Sequence, residues 1–292
     1  MMKHYFNTNK VLSVTALAIG AITIFFACKK DDKAGADEAR DTQTMAAAQR
    51  ETEINAVYDD AFGVVLDANS YESGLNGTDG GRWAPGNPSH ARCYSLSFDP
   101  VELGVFPKTV ELNFGDGCTD GGGPTRKGKI KVVVSELFFL PGAEAVITFE
   151  NYSVNGIKVE GTQTLTNLSG TNGFGYSYSV KDGKLTYPNG AVYLYEGTRN
   201  LVQKEGADTK YDVIDDMYEL TGTATLKDSV NTATVNITKA LERRFDCSYI
   251  SKGTVTVTVN GHAASIDYGN GDCDEKAMIT VGDKTKEITL SK

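Results

Sequence analysis

Gly253–Tyr268 (GTVTVTVNGHAASIDY) is the stretch whose reading decides the fold. Threonine alternates with valine from Thr254 to Val259, the period-two pattern of a strand with one wet face and one apolar face. Asn260-Gly261 then supplies the two residues that tolerate positive φ in a type I′ turn, and Ala264–Tyr268 returns. A two-residue turn sets Val259 opposite His262, which fixes the register of the whole hairpin.

Working outward, the same chemistry recurs. Ile130–Leu140, Ala145–Val154, Ile157–Leu168, Phe174–Val180, Ala191–Val202, Met217–Leu226 and Thr232–Leu241 are rich in β-branched and aromatic residues. Asn155-Gly156, Asn172-Gly173, Asp182-Gly183 and Asn189-Gly190 read as the turns between them, and Gly282-Asp283 closes a last hairpin before Lys286–Leu290. Consecutive hairpins predict an antiparallel meander of about a dozen or more strands, too wide to stay flat. The expected fold class is therefore all-β with one N-terminal helix, the sheet curled into a sandwich or barrel-like form over 91–292. Gln203–Lys210 is the only linker-like stretch within it, so a single β domain is expected.

Four cysteines punctuate that domain. Cys93 and Cys118 bracket one hairpin, Cys247 and Cys273 another, and the second cysteine of each pair follows a Gly-rich turn (Phe114–Cys118, Tyr268–Cys273). This internal repeat defines two units, near 93–135 and 247–290. Four cysteines in an exported chain allow three connectivities, and hairpin register favours pairing within each unit. A bulge in Gly269-Asn270-Gly271 would bring Cys247 and Cys273 opposite each other.

The fifth cysteine, Cys28, belongs to the leader. Met1–Lys10 carries Lys3 and Lys10 and no acid, Val11–Ala27 is apolar or small, and Cys28 follows at once. This resembles a lipoprotein signal peptide over 1–27, which implies that Cys28 is acylated and becomes the first residue. Several acyl chains on one residue anchor stably where a single chain binds only marginally. An uncleaved signal anchor is the competing reading. Residues 28–35 read as the lipidated tether, and Lys29-Lys30-Asp31-Asp32 resembles the sequence that follows the acylated cysteine in surface-exported lipoproteins of the Bacteroidota. The expected location is the outer membrane, facing the cell surface.

Between tether and sheet, 36–69 reads as an amphipathic helix. Ile54, Val57, Tyr58, Ala61, Phe62, Val65 and Leu66 form its apolar stripe, expected to pack on the chain's own sheet. Residues 70–90 form a Gly- and Pro-rich loop that holds Trp83.

Chemistry is sparse. The formal charge is −9, and the leader removes two lysines and no acid, so the remainder is more acidic still. An acidic surface argues against nucleic acid as a partner. His90 and His262 have no metal-ligand companions at the usual spacing, and no nucleophile-elbow pattern occurs. The doublets Asp59-Asp60 and Asp215-Asp216 read as solvated faces rather than a catalytic pair. Asp267, Asn270, Asp272, Asp274 and Glu275 crowd oxygens that suit calcium, but the same residues serve tight turns, and that reading is preferred. Asp228-Ser229-Val230 resembles the O-glycosylation motif of exported Bacteroidota proteins, with a hairpin turn as the competing reading. No catalytic, cofactor or metal residue is assigned.

Phe114–Ile130 (FGDGCTDGGGPTRKGKI), Phe149–Gly161 (FENYSVNGIKVEG) and Asp267–Val281 (DYGNGDCDEKAMITV), with the leader and the Asp59–Leu66 helix, resemble a family of β-rich lipoproteins of the Bacteroidota. The resemblance implies an outer-membrane or surface lipoprotein and brings no activity or functional residues. The functional expectation is a non-enzymatic interaction or envelope-structural module with a surface glycan or protein partner. The alternatives are a glycan-binding subunit of an uptake system, or a carrier whose apolar ligand is lined by Phe138, Phe139, Phe149, Tyr176, Tyr178, Tyr193 and Tyr195.

Overall fold

The computed structural model describes residues 32–72, 93–102, 104–119, 123–137, 140–170, 174–208, 215–244 and 246–290, with helix side chains from 35 to 65. The expected signal peptide, Cys28, Trp83, His90, Phe138, Phe139 and the Asn172-Gly173 turn lie outside these residues. A helix, α1 (Asp32–Glu72), precedes β1 (Ser95–Asp99), β2 (Lys108–Asn113), β3 (Cys118–Thr119), β4 (Thr125–Val134) and β5 (Glu144–Val154). There follow β6 (Ile157–Asn167), β7 (Gly175–Thr186), β8 (Val192–Glu205), β9 (Met217–Lys227) and β10 (Thr232–Arg244). The chain ends with β11 (Ile250–Val259), β12 (His262–Asn270), β13 (Lys276–Val281) and β14 (Lys284–Thr289).

All strands join one antiparallel sheet in sequence order, with the short β3 set against β4. Strands β1 and β14 do not pair with each other, so the sheet is curled and not a closed barrel. The β11–β12 hairpin has the register its sequence dictates, Val259 opposite His262, around Asn260 (φ 52) and Gly261 (φ 84). One expected turn is not a turn. Strand β7 runs straight through Asp182-Gly183, where a register slip between Val180 and Gly183 marks a bulge. Asp182 takes φ 51, and a Cβ on Gly183 would fall 2.6 Å from the Tyr58 hydroxyl. Positive-φ chemistry serves bulges as well as hairpins, so the dipeptide alone does not distinguish them. Strand β4 also starts earlier than expected, because Arg126 points inward to an acid of α1 and keeps its backbone paired to β5.

Helix α1 begins at Asp32, which shortens the expected 28–35 tether. Its first half is rich in Ala, Glu, Gln and Arg, strong helix formers. Ile54, Val57, Tyr58, Ala61 and Val65 are buried as the stripe predicts. Burying each large aliphatic contributes about 1.5–3 kcal/mol. Thr44, Glu51 and Asn55 are buried too, beyond the stripe. The helix packs closely on β11, β12 and β13, while its side chains reach β4, β5, β7, β8 and β14. One helix touched by strands from both halves of the meander means that the sheet wraps around it and the helix fills the curl.

A ladder of acceptors holds the helix there. Glu51, Asn55 and Asp59 recur every four residues and so share one helix face, with Asp60 beside them. Arg199 donates to Glu51 at 2.8 Å, the Tyr195 hydroxyl to Asn55 at 3.1 Å, and the Tyr178 hydroxyl to Asp59 at 3.0 Å. Arg126 grips Asp60 with two N–H groups, the planar fork that carboxylates match best. Burial pushes the Glu51 carboxyl up while Arg199 pulls it down, and the net shift is upward. Its second oxygen has no partner among the described residues. Asp59-Asp60 is therefore no solvated doublet. Its partners lie in strands far along the chain, which sequence spacing does not reveal.

Both cysteine pairs close within their units, with Cα–Cα distances of 5.5 Å for Cys93–Cys118 and 5.6 Å for Cys247–Cys273. Each brackets a hairpin, β1–β2 and β11–β12. The expected bulge occurs, with Thr254 opposite Asp267 and then Lys252 opposite Asn270. It moves the register away from the cysteines, however. They meet beyond the strand ends because the chain turns back between Arg244 and Cys247.

Candidate ligand-binding face

Alternation gives the sheet two faces, and α1 occupies the inner one. The outer face carries mostly threonine, serine, asparagine and charged residues, with exposed apolar ones such as Val133, Val192, Leu194 and Val202 among them. Antiparallel register aligns the short polar ones into a row across the strands. Thr164, Ser179, Thr198, Thr223, Asn236 and Thr256 are successive cross-strand partners from β6 to β11. The row continues through Ser265 and Thr280 to Thr285 on β14. Neighbouring members sit one strand spacing apart, ~4.8 Å.

Much of the charge on this face lies outside the row and is paired across strands. Lys129–Glu111 is 3.0 Å, Lys204–Glu219 is 3.0 Å, Lys276–Glu287 is 3.2 Å and Lys252–Glu242 is 3.4 Å. Such exposed pairs contribute little stability, about 0–1 kcal/mol each. The row from Thr164 to Thr285 is itself without charge.

Over β7–β10 that row sinks into an open concavity of about 660 Å³. Ser179, Thr198, Thr223 and Asn236 form its low floor, and the next row along the strands supplies Lys181, Glu196, Thr225 and Thr234. Elsewhere on the face some hydroxyls find neighbours, whereas Thr164 and Ser265 of the same row make no side-chain hydrogen bond to a described residue. Thr238 donates to the Thr254 carbonyl at 3.2 Å, and Thr280 and Thr285 meet at 3.4 Å. Within the concavity the side chains of Thr198, Thr223, Thr225, Thr234 and Asn236 make no hydrogen bond to any described residue. Lys181 and Glu196 are in no ion pair among the described residues. Each hydroxyl can donate and accept, and Asn236 does both through separate atoms. The site can therefore exchange hydrogen bonds with a polar ligand.

The residues singled out from sequence lie elsewhere. His262 sits near Arg40, 3.5 Å from its guanidinium, at one end of the β11–β12 hairpin. Asp216 is buried and accepts from Gln203 at 2.8 Å and the Tyr218 hydroxyl at 3.3 Å, whereas Asp215 is exposed. In the acidic turn, Asp267 accepts the Gly269 N–H at 3.0 Å and Asp274 the Lys276 N–H at 2.9 Å, as turn-forming residues do. No three His, Cys, Asp or Glu side chains among the described residues gather to hold a metal ion. Asp228 likewise caps the β9–β10 turn, accepting the Val230 N–H at 2.7 Å and the Asn231 N–H at 2.6 Å. Of the aromatic set, Tyr176, Tyr178 and Tyr195 are buried, and Tyr195 stacks on Tyr58 of α1 at 5.4 Å. Helix side chains take the space that a carried ligand would need there.

Fold and surface define a curled antiparallel sheet with an internal helix and a hydroxyl-lined outer groove. The chain matches no protein-family model, no curated protein and no solved structure.

Proposed function

We propose that this protein is a lipid-anchored outer-membrane protein, facing the cell surface through Cys28, and that it acts as a non-enzymatic interaction module. The resemblance of the leader to lipoprotein signal peptides, and of the body to β-rich lipoproteins of the Bacteroidota, supports the address. The observation that carries the role is the division of the sheet. The inner face is filled by α1 and its acceptor ladder, while the outer face presents unpartnered hydroxyls in an open groove. Hydroxyls and ion pairs on the outer face are unlike the apolar belt of a strand facing lipid. No helix among the described residues is long and apolar enough to cross a membrane.

The test has two arms. Metabolic labelling with a fatty acid should mark the wild-type chain and not Cys28→Ala, and protease added to intact cells should digest the wild-type chain. Purified protein should leave a panel of glycans, peptides and esters unchanged. An unlabelled wild-type chain contradicts the anchor, and turnover of any panel member contradicts the non-enzymatic role.

A further inference from the structure

We propose that the groove on the outer face of β7–β10 binds a neutral oligosaccharide, laid across the strands along the hydroxyl row. This rests on the interaction-module reading and names its ligand class. The warrant is first chemical. A sugar chain offers a dense set of hydroxyls that both donate and accept, and Thr198, Thr223, Thr225, Thr234 and Asn236 offer the complementary set with no competing partner. Hydroxyl–hydroxyl exchange with water is nearly balanced, so only an aligned array yields useful affinity and selectivity.

The second warrant is geometric. Antiparallel pairing repeats one polar side chain every ~4.8 Å across the row. That step is close to the length of one sugar unit in an extended chain, so successive sugars meet equivalent groups. The concavity is shallow and open, which suits a chain laid across the strands rather than a small molecule held in an enclosed pocket.

The third is electrostatic. The groove floor carries no charge, Lys181 and Glu196 offset one another, and the chain as a whole is acidic. A polyanion would be repelled at long range, and a polycation finds a single carboxylate there. A protein partner is disfavoured as well, because the groove lacks the buried Trp, Tyr or Arg anchors on which protein interfaces rely. Leu194 lies next beyond Glu196 on the outer face of β8, 45% exposed, and offers an apolar contact for the C–H face of a ring.

The experiment uses the full chain, purified in a detergent without a sugar headgroup. It is titrated calorimetrically with cellohexaose, laminarihexaose, mannohexaose and xylohexaose, with polygalacturonate as the anionic control. At least one neutral hexasaccharide should bind. Thr198→Val together with Thr223→Val, which removes two hydroxyls and keeps volume and β-branching, should weaken that binding at least about tenfold at unchanged Tm. Thr280→Val, on the same row outside the groove, should leave the affinity within about twofold. Should the paired variant not fold, hydrogen exchange on the wild type replaces it, and bound sugar should slow backbone amides in β8 and β9 selectively. Absence of neutral binding, preference for polygalacturonate, or binding indifferent to both tests overturns the proposal. None of these outcomes touches the interaction-module reading, which fails only through catalytic turnover or loss of the anchor.

Discussion

Thr198 and Arg199 are neighbours on β8 and inhabit opposite environments. The hydroxyl of Thr198 faces outward over the groove, unpartnered and without charge. The guanidinium of Arg199 faces inward, 5% exposed, bonded to the fully buried Glu51 of α1. Burial works against the charge of Arg199, but Tyr178, Tyr195, Glu51 and Asp59 around it hold its pKa up. The contrast extends along the sheet. The ladder on the inner face ties α1 to the strands and so fixes where the helix sits, although the Tyr58 hydroxyl and the Gln163 amide are buried there without a partner among the described residues. The outer face instead leaves Thr198 and its groove neighbours to solvent or a ligand. Polarity alone does not mark a functional face.

The largest effect should come from alkali, because it ionises the buried tyrosines of the inner face, whereas the exposed lysine pairs it breaks on the outer face contribute little. Burial pushes Tyr176 and Tyr195 up to about 12, and Tyr178 and Tyr268 well above the ordinary value. An unfolded tyrosine loses its proton near pH 10. Above that pH the folded state holds protons that the unfolded state releases, so stability falls as pH rises. Each such tyrosine removes about 1.4 kcal/mol per pH unit until its folded pKa is reached. Ultraviolet absorbance should show this group ionising together with the loss of circular dichroism. Their ionisation near pH 10 in a chain still folded would put them on the wet side of the comparison.

Next in size is the ion pair itself. Glu51→Ala leaves Arg199 charged and buried without its partner, and the expected loss is about 3–5 kcal/mol in urea unfolding. Glu51→Leu with Arg199→Met should recover most of that loss, since an apolar pair of similar volume is often neutral or better. A smaller effect is expected from Cys247→Ser with Cys273→Ser, about 2–4 kcal/mol from the lost restraint on the unfolded chain. That change sharpens the comparison, because it should lower Tm without altering oligosaccharide affinity at 25 °C.

Much of this fold is legible in the sequence wherever the determining chemistry is local. Asn260-Gly261 and the Thr/Val alternation beside it fix a hairpin and its register, and the repeated cysteine units pair as their hairpins suggest. Ile54, Tyr58 and Ala61 show the apolar stripe of α1. Asp59-Asp60 and Glu51 look solvated because their partners, Arg126, Tyr178 and Arg199, come from strands that only the tertiary fold brings near. Asp182-Gly183 looks like a turn because a bulge uses the same positive-φ residue. The groove is half legible. Alternation assigns Thr198, Thr223 and Asn236 to a wet face, but their alignment into one row depends on the register of every intervening strand, and bulges shift that register.

The central claim is that one sheet has a structural inner face and a free outer face, and β8 offers the most direct measurement. Urea unfolding of Thr198→Val and of Arg199→Ala compares adjacent residues on the two faces. Thr198→Val should lie within about 0.5 kcal/mol of wild type, as for a surface position. Arg199→Ala should lose about 3–5 kcal/mol, because Glu51 is left buried and unpaired. Equal losses at the two positions, or an Arg199→Ala as stable as wild type, would contradict the account.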